Sequence, residues 1–421
     1  MGRSVPLLVI SGLLAAACPA QQAGSTDPVF STVPFDQWFA KPEPSPFHWI
    51  TGVSEPALSH HQRLYCNVQI RIDGADLAKR RGQGRLLMMV QITDSKGHVW
   101  QDHDSFSLEP VQEAIKASDI QYLQPFFVLP GEYSLALAIF DTATGEHGVV
   151  RRGLRVGSLK SDPLAGAWSG LPPVEFIRPA EAPAAFYMPS IDGRLQLSVN
   201  TKQHVSVDLL VNLTPSERFS GSNRAQNRNL GVLLPIVKLL SQIDWRNATL
   251  NASLFDLFRL KTVFSQENVK ELDWESAKSA MVETNPGIID VKALENRTHS
   301  ADFFVKEVNR RVAADGPARV LIILSSSIVF EPGVELHPAE RVSHPNLKIF
   351  YLRYEPLVRT VGRPWGRPDG ADGIPIRPSF GPQNDQLEPL FKGLNPRRFD
   401  FTTPEQFRKA LAAMMAEIGT L

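Results

Sequence analysis

Short runs of alternating apolar and polar residues, separated by turn residues, fill residues 30–156. Residues 65–72 and 133–140 both put every second side chain on one face, as the strands of a half-buried antiparallel sheet do. Residues 141–145 then supply turn residues that lead into a returning strand. Because two packed sheets bury such faces economically, the pattern predicts an all-β sandwich over residues 28–160.

A stretch rich in proline and alanine follows this region. Proline denies the chain both helical and ladder hydrogen bonds, so we predict a linker over residues 161–194. The stretch also contains Trp168, Phe176 and Tyr187, and these aromatic side chains indicate that the linker packs along a domain surface.

Beyond residue 195 the spacing of the apolar residues along the chain changes. Residues 205–213 are predicted to form a strand, and residues 230–243 carry an apolar face at helical spacing. Compact apolar runs at residues 319–324 and 347–352 are typical of strands buried in a parallel sheet. The alternation of strands and helices predicts an α/β doubly wound, mostly parallel sheet over residues 195–421.

The last helix has the clearest start signal in the chain. Thr403 is predicted to cap it, Pro404 to occupy its first turn and Gln406 to complete a capping box. The apolar residues that follow form one stripe along the helix, so we expect this stripe to face the core.

The first twenty residues have the parts of a secretory signal peptide. Arg3 supplies a positive charge, residues 6–17 form an apolar core, and small residues follow at Cys18 and Ala20. The core is too short to cross a bilayer of roughly 30 Å, and no later stretch approaches about 20 uninterrupted apolar residues. We therefore expect residues 1–20 to be removed and the mature protein to be secreted or periplasmic, without a transmembrane segment. Anchoring as a lipoprotein through Cys18 is the alternative.

Composition narrows the classes of partner. The 44 basic residues balance the 44 acidic ones, so no basic field favours nucleic acid or an anionic membrane surface. The length of 421 residues suits two domains. Cys66 is the one cysteine beyond the signal region, so we expect no intramolecular disulfide and a buried, inert thiol.

Candidate chemistry lies where the predicted parallel strands end, because ligands bind outside the carboxyl ends of strands in such sheets. The first strand of the second domain ends in Asn212-Leu-Thr214-Pro-Ser216, and Thr298 precedes a later helix. This arrangement resembles the Asp-x-Ser-x-Ser motif of von Willebrand factor A (vWA) domains, and the resemblance extends over residues 195–421. It implies a divalent-cation site made of two Asp carboxylates and the hydroxyl groups beside them. Residues 130–156 similarly resemble the closing hairpin of immunoglobulin-like or fibronectin-like sandwiches.

The chain departs from the vWA pattern at the two positions where the family has a metal-binding Asp. Asn212 stands in place of the first Asp, and Ser325-Ser326 stands where the family has Asp-Gly. Amide and hydroxyl oxygens alone leave the charge of Mg²⁺ uncompensated, so we expect no cofactor and a degenerate site. Its members are expected to hydrogen-bond one another: Asn212, Thr214, Ser216, Thr298 and Ser325. The alternative is that this set binds Mg²⁺ or Mn²⁺.

A long segment rich in glycine and proline, residues 359–382, leaves the same edge of the predicted sheet. Loops of this length in compact domains are uncommon and are usually functional or disordered. We hypothesise that Arg363, Trp365 and Arg367 form a partner-binding lid, because Arg and Trp are frequent hot spots of interfaces. A mobile insertion is the alternative.

Taken with the missing carboxylates, these features predict an exported, non-catalytic protein of the adhesion or scaffold type. It would bind another protein, such as a member of an envelope assembly, at the carboxyl ends of its strands. Two other functions stay open: a vWA adhesion protein that depends on a divalent cation, and a secreted hydrolase. The hydrolase is disfavoured because the chain has no Gly-x-Ser-x-Gly elbow, and residues 325–327 have no neighbouring histidine.

Overall fold

The computed structural model describes residues 24–82, 84–178, 191–214, 223–282, 297–314, 318–330, 333–341, 346–355 and 385–421. The predicted signal peptide and Cys18 lie outside these residues. The chain divides into two compact units. The first consists of Met1–Thr51, Arg71–Gln121 and Gly131–Arg155, and the second of Gly52–Ile70, Tyr122–Pro130 and Val156–Leu421. The second unit thus includes two short segments from the region predicted as a separate sandwich.

The described strands are β1 (Trp49–Val53), β2 (Ala57–Leu58), β3 (Leu64–Ile72), β4 (Arg85–Asp94), β5 (Val99–Ser107), β6 (Ile120–Val128), β7 (Gly131–Asp141), β8 (His147–Val156), β9 (Val174–Phe176), β10 (Ser198–Asn212), β11 (Asp244–Asp256), β12 (Lys261–Gln266), β13 (Arg319–Ser326), β14 (Leu347–Tyr354) and β15 (Arg397–Phe401). The described α-helices are α1 (Phe35–Ala40), α2 (Gly74–Lys79), α3 (Asn223–Ser241), α4 (Trp274–Val282), α5 (Ser300–Val312), α6 (Leu387–Leu390) and α7 (Pro404–Ile418). Short 3-10 helices occupy Pro28–Thr32, Glu113–Ala117, Ala165–Trp168 and Arg297–His299.

A four-stranded sheet in the order β5-β4-β7-β8 forms the centre of the first unit. β4 pairs antiparallel with both β5 and β7. Met89 and Ala138, which lie on one face of this sheet, pack against an aromatic cluster formed by Phe30, Phe35 and Trp38. The early aromatic residues are therefore part of a core.

A second sheet has the order β1-β3-β6-β9, with β2 paired to β3. Along β3 the side chains of Cys66, Val68 and Ile70 are fully buried and alternate with more exposed ones, as the alternating pattern predicted. The expectation of a buried Cys66 thiol is confirmed, and burial raises the pKa of this thiol to about 12.

The third sheet is six-stranded, in the order β12-β11-β10-β13-β14-β15. Its last five strands run parallel, and β12 runs antiparallel to β11. All eight residues of β13 are buried, and residues 320–324 alternate between two apolar clusters on opposite faces of the sheet. Residues of α3 and α7 belong to one cluster, and residues of α5 and α6 to the other. Burial on both faces explains why β13 is nearly continuous in apolar residues.

The fold class predicted from the sequence, an all-β sandwich followed by an α/β doubly wound sheet, is wrong. Of the described residues, 39% lie in strands and 26% in helices, in antiparallel sheets and one mixed sheet. One reason is local: β11 turns back directly into β12, and Leu260 in this turn has a φ of 49°. No helix separates these two strands, so the chain forms an antiparallel hairpin where βαβ alternation would require a crossover.

The proline-rich segment contains a second departure from the expected pattern. β9 lies within it and pairs antiparallel with β6, through Phe126 opposite Phe176 and Val128 opposite Val174. Pro172 and Pro173 directly precede β9. β9 is the last strand of its sheet. The prolines beside it therefore do not remove a hydrogen bond from a central strand.

The predicted capping box of the last helix is confirmed. The Thr403 hydroxyl accepts the Gln406 backbone N–H at 3.3 Å, and the Gln406 side chain reaches back to the backbone of residue 403. Among the described helices, none has the length and apolar character that crossing a bilayer requires.

Candidate functional site

Three of the predicted site residues meet at the carboxyl ends of β10 and β13. The Asn212 amide nitrogen donates to the Ser325 hydroxyl at 2.9 Å, and the Asn212 side-chain oxygen accepts the Thr214 N–H at 3.0 Å. The Thr214 hydroxyl accepts the Leu257 N–H at 2.7 Å, and the Ser325 hydroxyl donates to the Ser326 carbonyl at 2.6 Å. All three side chains are buried. They form a closed hydrogen-bonded group.

These residues do not fit a divalent cation. The Asn212 amide nitrogen is directed at Ser325, while the Asn212 oxygen and the Thr214 hydroxyl already accept backbone N–H groups. None of the three carries a carboxylate, which Mg²⁺ and Mn²⁺ prefer. In the part of the chain that the structure describes, no group of three or more His, Cys, Asp or Glu side chains could hold a metal ion.

The other predicted site residues are placed differently. Thr298 is exposed in the 3-10 helix Arg297–His299, whereas Asn212, Thr214 and Ser325 are buried. Ser216 lies outside the described residues, as do Arg363, Trp365 and Arg367 of the hypothetical lid. The structure therefore brings together three of the five residues of the degenerate site.

A much larger feature lies on the same sheet, over β14 and β15. It is a cleft of about 920 Å³ beside α6. Its walls consist of Tyr351, Arg353, Asp385, Gln386, Glu388, Pro389, Phe391, Lys392, Asn395, Pro396 and Arg398. A cleft of this volume is within the range of binding sites for ligands and peptide side chains.

Asp385 lies at the base of the cleft and is 6% exposed. Its carboxylate accepts the Tyr351 hydroxyl at 2.7 Å and the backbone N–H groups of Ile328 and Leu387 at 3.0 and 3.2 Å. Burial raises the pKa of Asp385, although these hydrogen bonds oppose the rise. Burial also raises the pKa of Tyr351, and the nearby Asp385 charge adds to this effect. The phenol is therefore a fixed hydrogen-bond donor to the carboxylate.

Arg353 is surrounded by carboxylates. Its guanidinium lies 2.8 Å from Asp400 and 2.8 Å from Glu355, and 3.8 and 3.7 Å from Asp385 and Glu388. Burial alone would lower the pKa of Arg353, but the hydrogen bond to Asp400 and the neighbouring charges raise it. Arg353 thus stays charged and holds the acidic side chains of the cleft in a fixed arrangement.

β15 is the outermost described strand of the sheet, and β14 pairs with one of its two edges. The Glu355 N–H donates to the Phe401 carbonyl at 2.9 Å, so the main-chain groups of Phe401 face β14. Main-chain groups alternate in direction along a strand, so those of Arg398 and Asp400 face away from the sheet. Among the described strands, none pairs with this outer edge.

Sequence reasoning missed this cleft, although one signal for it exists. Arg353 directly follows the apolar run at residues 347–352, lies within β14 and is only 7% exposed. A buried arginine requires acidic partners, and the alternating charges of Arg398 and Asp400 in β15 provide one of them. Asp385 carried no comparable signal, because no sequence pattern links it to β14.

No protein-family model matches the chain, and no curated protein matches it. Northeast Structural Genomics Consortium target SoR45 is 12% identical, covers 27% of this chain and 86% of its own, and has a TM-score of 0.16. The ApaA protein from Bordetella pertussis is 12% identical, covers 28% of this chain and 98% of its own, and has a TM-score of 0.17. Scores this low carry no argument about fold or function, and the resemblance to vWA domains stays a prediction.

Proposed function

We propose that the chain is an exported, non-catalytic binding protein that takes up an extended segment of another protein along the outer edge of β15. The observation that carries this proposal is a strand edge that pairs with no described strand and lies directly beside a cleft of about 920 Å³. Binding would be independent of metal ions.

The backbone of β15 supports strand addition. The main-chain groups of Arg398 and Asp400 face outward and offer two donors and two acceptors to an incoming strand. Main-chain hydrogen bonds supply affinity in this mode of recognition, and pockets for alternate side chains supply specificity. An added strand would direct every second side chain to the face of the sheet that carries the cleft.

The walls of the cleft favour a segment that is neither purely apolar nor purely charged. Phe391, Pro389 and Pro396 supply apolar surface, whereas Glu388 and Arg398 supply charges that are already paired with each other. Paired charges select partners by complementarity more than they add raw affinity. The exposed charges of the edge also discourage pairing between copies of this chain, because charged edge strands resist self-association.

A non-catalytic role is supported by the state of the hydroxyl groups at the neighbouring strand ends. The Ser325 hydroxyl accepts the Asn212 amide and donates to the Ser326 carbonyl, so no base takes its proton. A serine nucleophile needs an adjacent base within hydrogen-bond reach. Ser325 therefore acts as a structural hydroxyl.

The test is a selection of random twelve-residue peptides on the purified protein, followed by affinity measurements on the best peptide by fluorescence anisotropy. Arg398→Pro removes the outward N–H, and Arg398→Ala is the matched control that keeps this N–H and removes the same side chain. We expect the proline variant to bind the peptide about tenfold or more weakly than the alanine variant does. This corresponds to a loss of about 1.4 kcal/mol or more in binding free energy.

Hydrogen exchange on the unmodified protein provides a second readout that does not depend on a variant folding. The bound peptide should slow exchange of the Arg398 and Asp400 amides. Equal binding to both variants, or a bound peptide that leaves these amides unprotected, would contradict the proposal.

A further inference from the structure

A small second cavity lies elsewhere in the second unit, far smaller than the cleft. Its volume is about 20 Å³, and His61, Arg63, Lys238 and Gln242 supply its polar walls. A volume of roughly 10–15 Å³ is enough for one water molecule. The cavity therefore has space for one water or one monoatomic ion.

Positive charge exceeds negative charge around this cavity. Arg63 pairs with Glu175, and the side chains of these two residues are 4% and 11% exposed. Glu175 also accepts the backbone N–H groups of Asp192 and Gly193, at 2.7 and 3.2 Å. The Glu175 carboxylate is thus shared between Arg63, two amides and the charge of Lys238, whose pKa it raises. Among the described residues, two cationic side chains line the cavity and no acidic one does.

Lys238 has few acceptors in the part of the chain that the structure describes. Its ammonium group donates to the Ile191 carbonyl at 3.4 Å, a long hydrogen bond for a group with three donors. The Asp192 carboxylate also acts on it, but this side chain is exposed and its charge is screened by water. Lys238 lines the cavity, and the described residues do not take up all of its ammonium donors.

Burial disfavours the positive charges of Lys238 and Arg63. Burial lowers the pKa of Lys238 and of Arg63, although Glu175 raises both. Burial, together with the charges of Lys238 and Arg63, lowers the pKa of His61 to about 3. His61 is therefore neutral at pH 7, and an imidazole in this state still has one N–H to donate. An anion would accept from these donors and offset the uncompensated charge.

We propose that this cavity is a binding site for a single halide ion, chloride in the natural setting, held by the Lys238 ammonium, the Arg63 guanidinium and the His61 ring. Two cationic groups beside one shared carboxylate, and a volume with space for one monoatomic ion, favour a halide as the occupant. The ion would stabilise the fold where residues 61–63 meet α3.

The test measures thermal unfolding of the purified protein in sodium chloride and in sodium gluconate at equal ionic strength. Gluconate is a much larger anion than chloride, and at equal ionic strength it controls for charge screening. We expect 150 mM chloride to raise the Tm by about 3 °C relative to gluconate, as a bound ligand with millimolar affinity does. Lys238→Met should abolish this difference, whereas Lys306→Met, an equal change of charge on the exposed side of α5, should keep it.

A crystal grown in sodium bromide gives a readout that does not depend on any variant. We expect an anomalous peak for bromide between Lys238 and His61. Absence of that peak, or a chloride effect that is equal in Lys238→Met, would overturn the proposal and leave water as the occupant.

Discussion

Arg408 of α7 and Asp162 form a two-point ion pair, in which the guanidinium Nε lies 2.6 Å from Oδ1 and Nη2 lies 2.8 Å from Oδ2. Arg408 is 2% exposed, stacks on the Trp168 ring at 5.0 Å and donates to the Leu164 carbonyl at 2.9 Å. The residues are 246 positions apart in sequence, so this pair fixes the proline-rich segment to the last helix.

Breaking this pair should destabilise the protein strongly. We expect Asp162→Ala to lower the free energy of unfolding by about 3–5 kcal/mol, because it leaves the buried Arg408 charge without a partner. Urea denaturation followed by tryptophan fluorescence measures the change. Asp244→Ala, which removes an exposed carboxylate, is the control and should cost less than about 1 kcal/mol. Equal effects of the two substitutions would show that the pair contributes little.

His60 and His61, which are adjacent in sequence, are buried in a way that predicts a loss of stability in weak acid. Burial lowers the pKa of His60 to about 4 and that of His61 to about 3. A histidine whose folded-state pKa is depressed binds its proton more tightly in the unfolded chain, so stability falls as the pH drops below about 6.5. The fall continues until the pH reaches the folded values.

Urea denaturation at pH 7, 6 and 5 should therefore show a decreasing free energy of unfolding, by up to about 2 kcal/mol per pH unit near pH 5. The raised pKa of Asp385 opposes this loss of stability at low pH, because the folded state binds the Asp385 proton more tightly than the unfolded chain does. In the variant His61→Gln the slope should be about half as steep. A free energy of unfolding that is flat between pH 7 and 5 would contradict the burial of the two rings.

Asn212→Asp tests the absence of a metal site most directly. The substitution puts a carboxylate next to the Ser325 hydroxyl at a fully buried position, without a cation to balance it. We expect the free energy of unfolding to fall by about 2–4 kcal/mol, and 10 mM Mg²⁺ to restore none of it. The wild-type protein with and without Mg²⁺ is the control. Recovery of stability in Mg²⁺ would mean that these residues can act as ligands after all.

Tyr351→Phe removes the hydroxyl that hydrogen-bonds Asp385 and changes little else in volume. We expect the pKa of Asp385 to rise further, because the hydrogen bond from Tyr351 lowers it in the intact protein. The cost in stability should be about 1 kcal/mol, the usual contribution of one buried hydrogen bond. Carbon NMR titration of the Asp385 carboxyl measures the pKa, and an unchanged value would exclude a role of the phenol in fixing this carboxylate.

Local sequence signals predicted elements well and pairings poorly. The capping box at Thr403 and the buried run of β13 depend on residues adjacent in sequence, and both appear as expected. The pairing of β9 with β6 and the contact of Arg408 with Asp162 join segments that are distant in sequence. Nothing in a local pattern specifies such partners, because the free energy of these contacts is realised only in the folded chain.

The candidate site shows the same limit. Asn212, Thr214 and Ser325 could be grouped from the sequence because each lies at the carboxyl end of a predicted strand or directly after it. The cleft could not, since Asp385 is reached only after a long segment and is held by Tyr351 and by the backbone of Ile328. The position of Asp385 depends on how the chain returns to the sheet after this long segment.

The place of β9 has a consequence for the order of events during synthesis. The strands β1, β2, β3 and β6 all lie within the first 128 residues, but the sheet they form ends in β9 at Val174–Phe176. Until β9 has reached the compartment in which the chain folds, β6 lacks its β9 partner along an edge that bears Phe126, Phe127 and Val128. Open apolar edges of this kind recruit strands from other molecules. The nascent chain is therefore most in need of a chaperone between the completion of β6 and the arrival of β9.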